Sequence, residues 1–530
     1  MSIEIRSGWI VDPQHPMHAR ASSIWIEGEQ IIEAPDVKLA TANEVFDASG
    51  CIVMAGGIDI HTHIGGGKVN LARMLQSAQP SDERTVWPTR QTGKLYNDIG
   101  YTSCFEPAML LPTARHTHWE LRDTPGIDAG AYVVLGNEDW LLEQIGRGIE
   151  AAELDALVGW AVSATRALAI KVVNPGGINA FRFNQRKLDV DEHHLAYGVT
   201  PRDVVRELTA SAVRLGLPHP LHVHASNLGV PGNIESTLAT LSAAEGHPIH
   251  LTHAQFNCYG DKGKFGMSSA AEELSRFVNQ HDNVTLDVGQ VVFGQTVTIS
   301  ADTRAQYENT RYADGKRWIV SDVGASAGCG VVPMRYEDDR FVHSLQWCIG
   351  LELLLLIEDP WRVFLTTDHP NGGPFTCYPH LMRLLMDKSF RQDHLDRIHP
   401  DAAGMAVLQE IDREYTIDEI AIITRLAPAK ILSLKDRGSL VPGQLADVSV
   451  FRRHSDDWEA TFNDCVCLVK NGQMQAVQAP REIAGRLLHA RPQFDQSVVS
   501  RYSEVLTETY GCGISGLEIS QAELDDIYRT

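Results

Sequence analysis

The chain has 530 residues, 43% apolar and 22% charged, with a formal charge of −22. That length accommodates one large domain and a smaller one, and the acidic balance argues against a nucleic-acid or anionic-membrane surface. No secretory leader or bilayer-length apolar run is visible, and nine cysteines without a C-x-x-C pair suit a reducing compartment, so a cytoplasmic setting is expected.

In chain order, short alternating bursts come first, at Ile3-Glu4-Ile5-Arg6 and Ser23-Ile24-Trp25-Ile26-Glu27, punctuated by Asp12-Pro13 and Gly28. They predict a small β-sheet. The same texture returns at Asp447–Phe451 and Cys467–Gly472, so one β-domain built from both ends is expected, with Cys465 and Cys467 as packing residues. Between them, strand patterns alternate with helical ones. The strands are the segment before His61, Tyr101–Phe105, Ala131–Leu135, Ala169–Val173, Leu221–Ala225, Ile249–His253, Val284–Val288 and Val363–Thr367. Helices are predicted at Asp203–Leu215, Ser269–Asn279 and His343–Ile357 from apolar spacings of three and four. Eight β-α units predict an α/β fold, a (β/α)8 TIM-like barrel with a small β-sandwich domain built from both chain ends. The expected parts are residues 1–52 and 426–480 for the β-domain, 53–425 for the barrel, and 481–530 for a C-terminal extension that packs on the chain or docks other subunits.

Barrel chemistry sits at the C-terminal ends of the strands. Ile58-Asp59-Ile60-His61-Thr62-His63 ends the first strand, and alternation puts His61 and His63 on one face, as a first pair of ligands to a divalent metal requires. The fourth strand carries Lys171 among apolar residues. Burial disfavours its ammonium, and a neutral amine adds carbon dioxide to give a carbamate able to bridge two cations. His224 on strand five and His253 on strand six extend the set, with His222 an open alternative to His224 because it shares its parity; His250 has the opposite parity to His253 and is expected to face the helices. Asp368, ending strand eight, is the ligand and acid/base candidate, able to take a proton from water and hand it to a leaving nitrogen. Asp59 is expected to orient an imidazole.

These motifs resemble the amidohydrolase superfamily. Val45–Gly50 with Gly56–His63 matches its opening and Gly438–Val448 its return to the β-domain, while Lys171 and Val223-His224-Ala225 look like the hydantoinase-type branch. Further blocks, His63–Asn70, Asn227–Asn233, Leu251–Phe256 and Asp359–Gly373, are similar to the family of amidohydrolase components found in formylmethanofuran dehydrogenases and bacterial formyltransferase/hydrolase complexes. Ala225-Ser226 departs from a frequent Cys or Glu after the strand-five histidine.

The resemblance implies two divalent metal ions, zinc by preference, with Lys171 carboxylated as the bridge, and hydrolysis of the formamide of N-formylmethanofuran or methylofuran. It also implies partner subunits of such a complex. Asn174, Asn227 and Gln255 are the implied substrate contacts, and Lys68, Arg73 and Arg84 a basic entrance for an anionic cofactor arm. Two alternatives keep the fold: a cyclic amidase or N-acyl-amino-acid deacylase, and a scaffold subunit without chemistry.

Overall fold

A computed structural model describes residues 2–35, 42–77, 79–80, 83–185, 187–300, 320–322, 329–476 and 483–527. Eight parallel strands run in sequential order: Gly57–Asp59, Tyr101–Met109, Asp128–Leu135, Ala169–Val173, Leu221–His224, Ile249–Leu251, Val284–Asp287 and Val363–Phe364. They are the first to eighth barrel strands below. Every predicted strand is present, trimmed or extended by a few residues at its ends. The fourth, for example, reads Ala-Ile-Lys-Val-Val and is buried along its whole length, as a strand covered on both faces must be.

The barrel closes just beyond its shortest strand. Val363–Phe364 has only two residues in the ladder, and the seam to the first strand is made by a parallel bridge between Thr62 and His369. The His63 amide donates to the His369 carbonyl at 2.8 Å across the same seam.

The predicted helices appear as Pro201–Arg214, Ala271–Gln280 and Phe341–Leu356. The first starts at a capping box, with Thr200 accepting from the Asp203 amide and Asp203 accepting from the Thr200 amide. An element absent from the sequence expectation lies between the seventh and eighth strands. Gly294–Ser300 pairs antiparallel with Cys329–Tyr336, which also pairs with Val320–Asp322. Val297, Ile299 and Val331 of this sheet pack against Val69 and Ala72 of the helix Gly67–Gln76. The sheet is tied to the loop after strand eight, where the Tyr336 hydroxyl donates to the Asn371 carbonyl at 3.0 Å.

Strands from both ends form one eight-stranded mixed sheet. Ser2–Ile10 bends at an irregularity between Ile5 and Gly8, so its first half pairs with Glu44–Asp47 and its end with Cys51–Ala55. Ile3, Ile5, Ile24, Ile26, Val53, Val448, Val450 and Val469 share its core.

The segment beyond 483 packs one side on its own chain and leaves much of the rest exposed. Leu487–Leu488 pairs with Ala129 and Gly130 of the third strand, and the Ile519 amide donates to Ala164. Val499, Leu506, Leu517 and Ile519 are buried against the chain's own barrel helices, and the Trp160 indole donates to Glu518 at 3.0 Å. The physical reason is the tail's apolar spacing, which finds a partner within its own chain. Among the described residues no helix is long and apolar enough to cross a membrane.

Candidate metal centre

The first strand ends in a turn held by its own carboxylate. Asp59 accepts the His61 amide at 3.1 Å and the hydroxyls of Tyr96 and Tyr378 at 2.8 and 2.5 Å. Burial raises its carboxyl to about 6. Asp59 therefore positions the backbone of His61, not the imidazole expected from the sequence.

His61 and His63 do share a face, and Asp368 from across the seam meets both. Asp368 Oδ1 lies 2.9 Å from His61 Nε2 and 3.3 Å from His63 Nε2. His63 Nδ1 donates to Glu106 at 3.0 Å, which leaves its Nε2 as a lone pair turned toward the carboxylate. His61 Nε2 and Asp368 Oδ1 are buried and have no hydrogen-bond partner. Ligands bound at about 2.1 Å around a tetrahedral cation stand about 3.4 Å apart. The three donor atoms thus fit a shared cation in both spacing and electron supply, and they form one of the His/Asp clusters able to hold a metal.

His253 and His224 continue the constellation. The His253 ring is 5.5 Å from that of His61 and 4.5 Å from that of His224, and His253 Nδ1 is buried without a partner. The sixth strand ends at Leu251, and His253 has φ 35°, as Asp368 has φ 50°. The side chains reach the mouth because the backbone leaves the strand in the left-handed region, where alternation no longer applies. This also corrects the expectation for His250. It lies within the strand, in register with His222, and is fully buried in the barrel interior, 3.1 Å from Asp287 Oδ2.

Lys171 is buried on the fourth strand in register with His222. Burial lowers its ammonium to about 8 against the pull of Asp368, Asp287 and Glu106. Burial would raise the Asp368 carboxyl, but the charges of His61 and His253 hold it well below the usual range. For His61, burial and Lys171 oppose protonation; Asp287 and Asp368 outweigh them and raise it.

His222 and His224 now separate. His222 Nε2 lies 2.9 Å from His61 Nδ1, the edge of His61 opposite Asp368, and His222 Nδ1 lies 2.9 Å from His219 Nε2. His224 instead faces His253.

Of the other expected residues, Asn174 (φ 44°) follows the fourth strand, its amide donating to the His224 carbonyl. Asn227 donates to Asp189 at 3.0 Å and lines a groove with Lys187, Asp191 and Glu235. Gln255 is fully buried, accepting from the Val291 amide at 3.3 Å. Arg73 is committed to the carbonyls of Ile64 and Trp87 and to Glu120, and Arg84 to the carbonyls of Ser77 and Gln79, so both hold the long loop together. Lys68 is half-buried and close enough for its charge to lower that of Lys171.

Two carboxylates were absent from the sequence expectation. Glu106, on strand two, accepts from His63 and from the amides of Ile64 and Gly65. Asp287 ends strand seven 3.3 Å from His61 Nδ1. The available signal was the one that singled out Lys171, a charged residue inside an apolar parallel strand.

A family model described as "Amidohydrolase family" matches residues 44–475. The chain is 38% identical over 538 residues to the A component of the formyltransferase/hydrolase complex Fhc of Methylorubrum extorquens, covering 98% of this chain and 97% of that one. It is 37% identical over 476 residues to "Protein FwdA" of Methanocaldococcus jannaschii, covering 85% and 83%. The crystal structure of the formyltransferase/hydrolase complex (FhcABCD) from Methylorubrum extorquens with methylofuran aligns at a TM-score of 0.92 and 38% identity, over 98% of this chain and 97% of that one. N-acyl-D-glutamate deacylase from Bordetella bronchiseptica, with zinc and a phosphonate inhibitor, shares the fold at a TM-score of 0.54 and 16% identity, over 92% and 99%.

Proposed function

Because this chain belongs to the amidohydrolase family, we propose that it hydrolyses the formamide bond of an N-formylated furan cofactor of the methylofuran type, releasing formate and the free amine. It acts as the hydrolase component of a cytoplasmic formyltransferase/hydrolase assembly. The observation that carries this reading is 38% identity sustained over 98% of the chain to a component of that complex.

In this reading His61, His63, Lys171, His224, His253 and Asp368 would hold two divalent cations, most simply zinc, since imidazole and carboxylate donors suit that ion. When bound, the cations supply Lewis acidity to the water and to the formyl oxygen. Lys171, brought to about 8 by burial, offers a neutral amine for carboxylation near neutral pH. The carbamate so formed would be an anionic donor to those cations.

A formamide has a poor leaving group, so its nitrogen needs a proton as the C–N bond breaks. Asp368 is suited to that task. It is ionised, buried at the mouth, and has one carboxylate oxygen with no hydrogen-bond partner. It takes a proton from the attacking water and gives it to the departing amine. Glu106 keeps His63 Nε2 turned toward Asp368 by engaging the other ring nitrogen.

The test is formate release from N-formylmethylofuran by the assembled complex, alongside metal content. Asp368→Asn is expected to retain bound zinc while formate release falls by about 10³-fold. Full activity in that variant removes the proposed proton transfer. Turnover of hydantoin or N-acyl amino acids with none of the formylated furan overturns the substrate.

A further inference from the structure

The interior of a parallel barrel is ordinarily filled by branched apolar side chains. Here His222, His250 and Asp287, on strands five, six and seven, are fully buried in it. Buried polar groups are costly unless each finds a partner, so the network must hold something in place.

The network converges on one atom. His61 Nδ1 lies 2.9 Å from His222 Nε2 and 3.3 Å from Asp287 Oδ2, and it contacts the Thr252 hydroxyl. Asp287 is fully engaged. Its Oδ1 accepts from the His253 amide at 2.9 Å and from the Thr366 hydroxyl at 2.8 Å, and its Oδ2 from His250 Nε2 at 3.1 Å. His222 is braced in turn by His219 Nε2, 2.9 Å from its Nδ1.

We propose that Asp287 and His222 are positioning residues that clamp His61 in the tautomer whose Nε2 lone pair faces Asp368. His61 Nε2 has no hydrogen-bond partner, whereas Nδ1 has His222 Nε2 within reach and the Asp287 carboxylate beside it, so the hydrogen of His61 belongs on Nδ1. His222 Nε2 accepts on the same edge, and its Nδ1–H then donates to His219. His222 is thus no metal ligand, because both its nitrogens are spent below the mouth. Asp287 does double duty, fixing the ring of His61 and the backbone of His253. This inference rests on His61 being a metal ligand, as in the function proposed for the site.

The test uses the purified full chain and zinc ions alone, in competition with a chelator, so that no substrate is needed. Partners that orient a metal-bound histidine typically contribute 10–100-fold in affinity. Asp287→Asn and His222→Leu are each expected to weaken zinc binding at one of the two sites by about 10–100-fold. In His222→Leu the other site should change little, whereas Asp287→Asn, which also loosens the His253 backbone, should cost a smaller loss there as well. His222→Gln, whose amide oxygen can accept from His61 Nδ1, is expected to restore most of the affinity. In the assembled complex the same variants should lower kcat while leaving KM nearly unchanged.

Unaltered zinc affinity in Asp287→Asn overturns the clamp and leaves the metal site standing. Equal losses in His222→Gln and His222→Leu also overturn it, since bulk alone would then explain them. Should His222→Leu fail to fold, Asp287→Asn and His222→Gln still decide. Absence of zinc binding in the unsubstituted chain overturns the metal site itself, and the clamp with it.

Discussion

Single atoms decide the quality of this site, and Gly289 shows how narrow the tolerance is. Its φ of +65° lies where side chains are strained, and a Cβ built there would stand 2.5 Å from the Cβ of His253 and 2.8 Å from its Cα. Gly289→Ala must push His253 away from the mouth. Zinc content and turnover are both expected to fall, with the loss in zinc measurable before any substrate is added. The proposed donors at this scale are ones the sequence itself marks. His61, His63, His253 and Asp368 each stand where a strand pattern ends, and Lys171 interrupts an apolar run. The choice between His222 and His224 was not legible, because both occupy the same face of one strand. Side-chain reach distinguishes them, His222 turning to His219 and His61 while His224 meets His253, and that difference is the ground for proposing His224 as the ligand.

At the scale of elements, alternation and periodicity locate all eight barrel strands. They fail where the chain leaves the ladder. Counting parity back from His253 points His250 outward, but His253 lies beyond the strand with a left-handed backbone, so the count does not carry through. The three-stranded sheet beginning at Gly294 escapes for a different reason, since eight strands already complete a barrel and nothing local marks this one as an insertion. The helix Phe341–Leu356 packs under that region and carries its own pH sensitivity. Burial raises the carboxyl of Glu352 to about 7, even though Ser269 and the Val407 amide donate to it. A folded-state value raised above the unfolded 4.5 means that the native chain holds the proton more tightly. That contribution is complete below about pH 4.5 and is lost as the pH rises through 7. Glu352→Gln, neutral at every pH, should therefore gain on the parent between pH 5 and pH 8, by at most about 3 kcal/mol. Urea unfolding of both proteins at the two pH values measures it.

For the molecule as a whole, the terminal sheet and the barrel are joined by buried charge. Asp128, opening the third barrel strand, meets Arg437 at 2.5 Å and Lys470 of the terminal sheet at 2.9 Å, and Lys470 meets Asp447 at 2.8 Å. Removing one member of such a network strands the others, at a cost of about 3–5 kcal/mol. Asp128→Ala is expected to lose less than that in denaturant unfolding, because Lys470 keeps Asp447 and Arg437 keeps Asp436 when their shared acid is gone. The barrel's other joint is the bridge between Thr62 and His369. Each side of it is one residue from a proposed cation donor, His61 and His63 on the first strand and Asp368 on the last. An ion held by His61, His63 and Asp368 would therefore straddle the seam itself, and binding it should brace the circumference of the barrel as well as complete the site.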